Sequence, residues 1–217
     1  MAQRLALFDL DNTLVDLDEA FRLWAGEFAS QHSLTGEAVD WLIALDRTGH
    51  PHREIFFSIV REHFSLPDSV DELWSRYRRR MPYLVRCRPE TLDGLARLHA
   101  SGWKVAIVTN GMTDNQLGKI QQTGLAEAVD AYALSGIEGM RKPDVGLFEV
   151  AAKRCGTTLA DGGWMVGDHL VADIGRGRSA GLRTIWIDRG TWPEHDHPAD
   201  HVVTGVLQAI EILLQHQ

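Results

Sequence analysis

Short apolar runs, each ending at Gly, Asp or Asn, alternate with helical stripes along most of this chain, and that rhythm restricts it to one broad architecture. The runs at 5–8, 104–109, 164–166 and 183–187 are brief and rich in β-branched, aliphatic or aromatic residues, the pattern of fully buried strands. A last strand is expected at Val202-Val203. Between them, Leu92, Leu95, Ala96 and His99, then Leu147, Phe148 and Ala151, then Val206, Ala209, Ile210, Leu213 and Leu214 recur at helical spacing. Pro89 and Pro143 stand where helices should begin, and Gly102, Gly156 and Gly181 where they should end. Strands alternating with helices predict an α/β fold, a doubly wound parallel sheet of Rossmann-like type.

Residues 16–86 break the rhythm. Phe21, Trp24, Ala25 and Phe28 form one helical stripe, Ile55, Phe56, Ile59, Val60 and Phe64 a second, and Leu73, Trp74 and Tyr77 a third, with no strand between. Gly49-His50-Pro51 and Leu66-Pro67-Asp68 punctuate them, and Pro82 closes the helix ending in Arg78-Arg79-Arg80. The expected division is an α/β core of residues 1–15 and 87–217 with an all-helical insertion, 16–86, in which Trp24, Trp41 and Trp74 form core rather than base-stacking platforms. The formal net charge of −8 argues against nucleic acid or an anionic membrane as a partner. With only Cys87 and Cys155, a disulfide scaffold is excluded and both thiols read as inert. No apolar run approaches the roughly 18 residues of a membrane span. The first residues reach Asp9 and Asp11 before an export signal could develop, so a cytoplasmic protein is expected.

Asp9-Leu10-Asp11-Asn12-Thr13 directly follows the first strand. Open parallel sheets bind ligands beyond the carboxyl ends of their strands, so two carboxylates there stand where chemistry is done. Read alone, Asp11-Asn12-Thr13 is equally a turn and helix cap. Three other strand ends shift that balance. Thr109-Asn110-Gly111 offers a hydroxyl and a small-residue backbone suited to an anion. Arg141-Lys142-Pro143-Asp144 places a cation before a helix expected to begin at Pro143. The strand at 164–166 runs into Gly167-Asp168, with Asp173 beyond.

In this order, D-x-D-x-T (Asp9, Asp11, Thr13), the strand-end Thr109, Lys142-Pro143-Asp144 and G-D-x-x-x-x-D (Gly167, Asp168, Asp173) resemble the motifs of the haloacid dehalogenase superfamily over the whole chain. The insertion is similar to the helical cap that one branch places after the first motif. The resemblance implies that Asp9 attacks phosphorus to give an aspartyl-phosphate, and that Asp11 protonates the leaving alkoxide and then deprotonates water.

A phosphate monoester carries about two negative charges, and two like unit charges about 4 Å apart repel by roughly 4 kcal/mol at an effective dielectric near 20. Asp9 therefore needs a hard cation, Mg²⁺, with Asp9 and Asp168 as the expected ligands and the Asp11 carbonyl implied by the resemblance. Lys142 adds a fixed positive charge beside the nucleophile. Thr109 with the amides of Asn110 and Gly111 would hold phosphoryl oxygens, Thr13 would fix the turn, and Asp173 would be a ligand or a partner to one.

Asp11 favours phosphate transfer over dehalogenation, because a halide leaves without a proton. The lysines are Lys104, Lys119, Lys142 and Lys153, none within 16–86, which argues against a Schiff-base phosphonate chemistry. The expected activity is Mg²⁺-dependent hydrolysis of a small phosphorylated metabolite by a monomer or homodimer, a lid over the site excluding macromolecules. A phosphomutase and a non-catalytic binding role stand as alternatives.

Weaker features complete the reading. Arg47, His50 and Arg53 lie in the insertion loop best placed to read the leaving group, with a solvated connection and a helix start at Pro51 as the plain alternative. Arg78-Arg79-Arg80 fits a helix C-terminus. The Gly-rich stretch from Gly175 follows no strand, so it is no dinucleotide loop. His195, His197 and His201 with Asp196 and Asp200 read as a solvated loop rather than a zinc site.

Overall fold

The computed structural model describes residues 4–48, 53–192 and 199–216. In chain order it contains β1 (Arg4–Phe8), α1 (Leu17–Gln31), α2 (Glu37–Arg47), α3 (Arg53–His63), α4 (Val70–Arg80), α5 (Pro89–Ala100), β2 (Trp103–Thr109), α6 (Thr113–Gln122) and the single turn α7 (Leu125–Ala128). There follow β3 (Ala131–Leu134), the single turn α8 (Ser135–Glu138), α9 (Gly146–Arg154), β4 (Trp164–Gly167), the short α10 (Arg176–Ser179), β5 (Arg183–Ile187), β6 (His201–Val203) and α11 (Val206–Gln215). The chain divides into two compact units, residues 1–16 with 87–217, and residues 17–86.

The first unit is a six-stranded sheet in the order β3-β2-β1-β4-β5-β6, every pairing parallel. Leu5, Ala6, Leu7 and Phe8 are all fully buried, as a central strand covered on both faces requires. The chain winds outward from β1 to β3, then returns and winds the other way through β4. Right-handed crossovers therefore put α5 and α6 on one face and α9 and α10 on the other. Leu147, Phe148 and Ala151 of α9 pack with Leu5, Leu7, Ala106, Val108 and Met165 in one continuous cluster. On α5, Gly94 lets Ile210 of α11 approach so closely that an added Cβ would lie 2.8 Å from its Cδ1.

Two features depart from expectation here. Pro143 does not open a helix: it sits in a turn, and α9 begins at Gly146, its first turn anchored by Asp144 Oδ1 accepting from Gly146 N–H at 2.9 Å. The sheet also gains β3, a short edge strand whose four apolar residues, Ala-Tyr-Ala-Leu, include no β-branched one.

The second unit is helical. Phe21, Trp24 and Phe28 of α1 meet Phe56 and Phe57 of α3 and Tyr77 of α4 in an aromatic core, with Trp24 edge-on to Tyr77 at 4.9 Å between ring centres and to Phe57 at 5.8 Å. Ser69 caps α4 reciprocally with Glu72, a capping box legible as Ser-x-x-Glu. Trp41 and Trp74 are only half-buried: Trp41 stacks on His63 at 3.9 Å, and Trp74 carries the Arg78 guanidinium at 4.6 Å. Ile55 is exposed rather than core, because its stripe is wider than the face α3 buries. The arginines ending α4 are tied within the unit, Arg80 to Glu27 by two 2.7 Å bonds and Arg79 to Ser75.

Candidate active site

Strand order reverses between β1 and β4, and a parallel sheet opens a crevice at such a point. Asp9 leaves β1 there, its N–H still donating to Val166 O at 2.9 Å, while Asp168 follows β4 immediately. A π-helical turn, Leu170–Gly175, then swings Asp173 back toward them. Carboxylate oxygens of Asp9, Asp168 and Asp173 all lie within 4.8 Å of one another. Lys142 reaches in from the loop before α9, its Nζ donating to Asp9 Oδ1 at 2.5 Å and to Asp173 Oδ1 at 2.6 Å. Gly167 makes the approach possible, since a Cβ there would fall 2.3 Å from Asp173 Oδ2.

Asp9, Lys142 and Asp173 are buried, so their charges act on one another with little screening. Burial pushes the Asp9 carboxyl well above the usual range, although Lys142 pulls it down. Burial and then Asp173 push Asp168 up to about 7. Burial opposes the charge on Lys142, but Asp173 and Asp9 outweigh it and hold the ammonium protonated. Three carboxylates against one ammonium leave an excess of negative charge presented by oxygen atoms alone, a donor set that fits a hard divalent cation of the Mg²⁺ type. Asp173, expected as ligand or partner, is a full member of the group.

Asp11 is turned elsewhere. Its carboxylate takes Lys119 Nζ on Oδ1 at 2.7 Å and on Oδ2 at 2.9 Å, and Gln116 Nε2 on Oδ2 at 2.9 Å, both donors coming from the inward face of α6. Neither donor figured among the expected site residues. Gln116 also donates to Thr109 Oγ1 at 2.7 Å, and that hydroxyl in turn faces Asn110 O at 3.5 Å. Asn110 does more than lend an amide: its side chain accepts from Lys142 N–H at 2.8 Å and donates to Lys142 O at 2.9 Å, fixing the loop that carries the lysine.

Other expected residues are placed differently. The Gly111 amide, expected to hold a phosphoryl oxygen, donates to Ser135 Oγ at 2.9 Å. Gly111 has φ +149°, and a Cβ there would meet Gln116 Cγ at 2.6 Å, so the position requires glycine. Thr13 shapes the turn through its backbone N–H to Leu10 O, while its buried hydroxyl makes no hydrogen bond among the described residues. In the helical unit Arg47 is exposed at the end of α2. Arg53 is no loop residue: it opens α3, pairs with Asp46 and lies over Phe56 at 5.1 Å. His50, Pro51, His195, Asp196 and His197 lie outside the described residues, and Asp200 accepts from Thr184 N–H and Oγ1.

Fold and site together define an α/β enzyme with a carboxylate and lysine centre at the sheet's switch point. The sequence profile of the haloacid dehalogenase-like hydrolases matches residues 3–181, and the chain belongs to that family. It is 34% identical over 173 residues to a phosphoserine phosphatase of Thermus thermophilus, covering 78% of this chain and 68% of that one. A glyceraldehyde 3-phosphate phosphatase of Pyrococcus furiosus is 28% identical over 223 residues, covering 97% and 92%. Among solved structures, a HAD-hydrolase of Bacillus subtilis bound to magnesium superimposes with a TM-score of 0.83 over 98% of this chain and 99% of that one, at 21% identity, a likeness of fold. No helix among the described residues is long and apolar enough to cross a membrane.

Proposed function

We propose that this hydrolase cleaves the phosphate monoester of a small metabolite, with Asp9 as the nucleophile. The observation that carries the reading is a buried carboxylate at the end of β1, bonded at 2.5 Å to a buried lysine and grouped with two further carboxylates. The phosphatase names of the curated relatives support it. Asp9, Asp168 and Asp173 would hold Mg²⁺, which supplies the positive charge that lets a carboxylate approach a dianionic ester. Lys142 fixes Asp9 Oδ1, so the free oxygen is the one aimed at phosphorus. As that oxygen bonds to phosphorus, the P–O bond to the leaving group breaks and the electron pair departs with the leaving oxygen, which takes a proton from Asp11. Water then attacks the aspartyl-phosphate, giving its proton to Asp11 and releasing phosphate and the Asp9 carboxylate. Thr109 Oγ donates to a phosphoryl oxygen in both steps. The helical unit, residues 17–86, serves as the cap that restricts the substrate to small molecules.

The test is phosphate release from an aryl phosphate by wild type and Asp9→Asn, each with Mg²⁺ and with chelator. Turnover that needs both Asp9 and Mg²⁺ is expected. Turnover surviving either change overturns the reading.

A further inference from the structure

Lys119 is a lysine with its side chain 2% exposed, committed to a single carboxylate. Burying an ammonium is costly unless its partner is well placed, and nothing in the fold of α6 demands a cation there. The helix could bury an apolar residue at this position as it does with Ile120 next to it. What the cation achieves is orientation. A carboxylate offers about four lone-pair sites. Two of those on Oδ2 are taken by Lys119 and Gln116, and one on Oδ1 by Lys119, so among the described residues a single site on Oδ1 is left open.

We infer that Lys119, assisted by Gln116, is a positioning residue that fixes the Asp11 side chain with Oδ1 as the atom that exchanges a proton with the leaving group and with water. The inference rests on the reading of Asp11 as the proton donor. Gln116 extends the constraint to the phosphate site. Its amide faces a carboxylate, the Asn110 carbonyl and the Thr109 hydroxyl, and so presents its NH₂ to all three. The proton donor and the phosphoryl-binding hydroxyl are thereby held to one frame, α6. Helix α6 buries Gln116 and Lys119, three residues apart, and thus points its polar face inward.

Protonation of the leaving oxygen matters for an alkyl phosphate, whose alkoxide is a poor leaving group, and little for a nitrophenyl phosphate, whose phenolate leaves unaided. General acid catalysis contributes about 10²–10⁴-fold where it is needed, and displacing a catalytic group by about 1 Å costs on the order of 10²-fold. Lys119→Met is therefore expected to lower the ratio of alkyl to nitrophenyl turnover at least about tenfold, within those bounds, while inhibition by inorganic phosphate is retained. A purely structural defect would slow both substrates alike.

The experiment measures kcat on both esters for wild type, Asp11→Asn, Lys119→Met and the double variant. Asp11→Asn should collapse the ratio, and adding Lys119→Met to it should change the ratio no further. If Asp11→Asn leaves the ratio intact, the reading of Asp11 as acid fails. If Asp11→Asn collapses the ratio and Lys119→Met does not, or if the two changes multiply, the inference about Lys119 fails. Should Lys119→Met not fold, Lys119→Gln carries the same comparison: a shorter, neutral side chain cannot place a cation against both Asp11 oxygens as Lys119 does, so the ratio must still fall, and an unchanged ratio overturns the inference.

Discussion

Replacing Asp9 by Asn should stabilise the metal-free protein while abolishing turnover. Asp9 Oδ1 lies 2.5 Å from Lys142 Nζ, an attraction of roughly 7 kcal/mol at an effective dielectric near 20. Its carboxylate also has oxygens of Asp168 and Asp173 within 4.8 Å, and each of these repels it by roughly 3–4 kcal/mol on the same scale. Attraction and repulsion nearly cancel, which leaves the cost of burying the charge as the deciding contribution, and burial is indeed the largest influence on the Asp9 carboxyl. The Asn amide oxygen still accepts from Lys142, so the variant sheds the desolvation cost without orphaning the lysine, for a net gain of about 1–3 kcal/mol. Urea unfolding in chelator measures it. Mg²⁺ should reverse the order, since a ligand at 100 times its Kd adds about 2.7 kcal/mol to the wild type and less to a variant lacking one ligand. An Asn variant less stable than wild type in chelator by more than about 1 kcal/mol, the scale of one hydrogen bond, would refute the electrostatic reasoning. The sign with pH follows. Carboxyls raised in the folded state bind protons more tightly folded than unfolded, so metal-free wild type loses stability as pH rises from the ordinary 3.8 through about 7, the Asp168 value. Asp9→Asn should show a shallower fall.

Phe148→Ala removes a fully buried ring from the cluster between α9 and the sheet and should cost about 3–5 kcal/mol in urea unfolding. Gly111→Ala forces a Cβ into Gln116 at a left-handed backbone position; a loss of about 1–3 kcal/mol from overpacking is expected in the same assay, with a fall in kcat because Gln116 must leave Asp11. Burial pushes the thiols of Cys87 and Cys155 up to about 11, so alkylation of the folded protein at pH 8 should be slow and should become rapid on denaturation.

The sheet and the acidic centre were legible because both are written in local pattern. Residues 5–8 and 164–166 are buried on both faces, so they appear as unbroken apolar runs, and the carboxylates follow directly where such strands end. β3 carries a weak strand signal because Ala131 and Tyr132 are only half-buried at the sheet's edge and its residues, Ala-Tyr-Ala-Leu, include no β-branched one. Helix α2 buries only Ala38 and Leu42, too narrow a stripe to announce itself. Lys119 and Gln116 were illegible for a different reason. A lysine on an amphipathic helix ordinarily faces water, and only the tertiary structure reveals that the polar face of α6 is the inward one. The one local hint was their spacing beside Ile120 on a helix following Thr109-Asn110-Gly111. Pro143 lies in a turn before α9 because proline suits turns as readily as helix starts.

The proposed mechanism requires Asp9 itself to accept the phosphoryl group. Acid quench of enzyme turning over a ³²P-labelled phosphate ester with Mg²⁺, followed by proteolysis and hydroxylamine treatment, tests it directly. A hydroxylamine-sensitive label on the peptide containing Asp9, absent from Asp9→Asn, is expected. Label on another residue, or full turnover by Asp9→Asn, would contradict it.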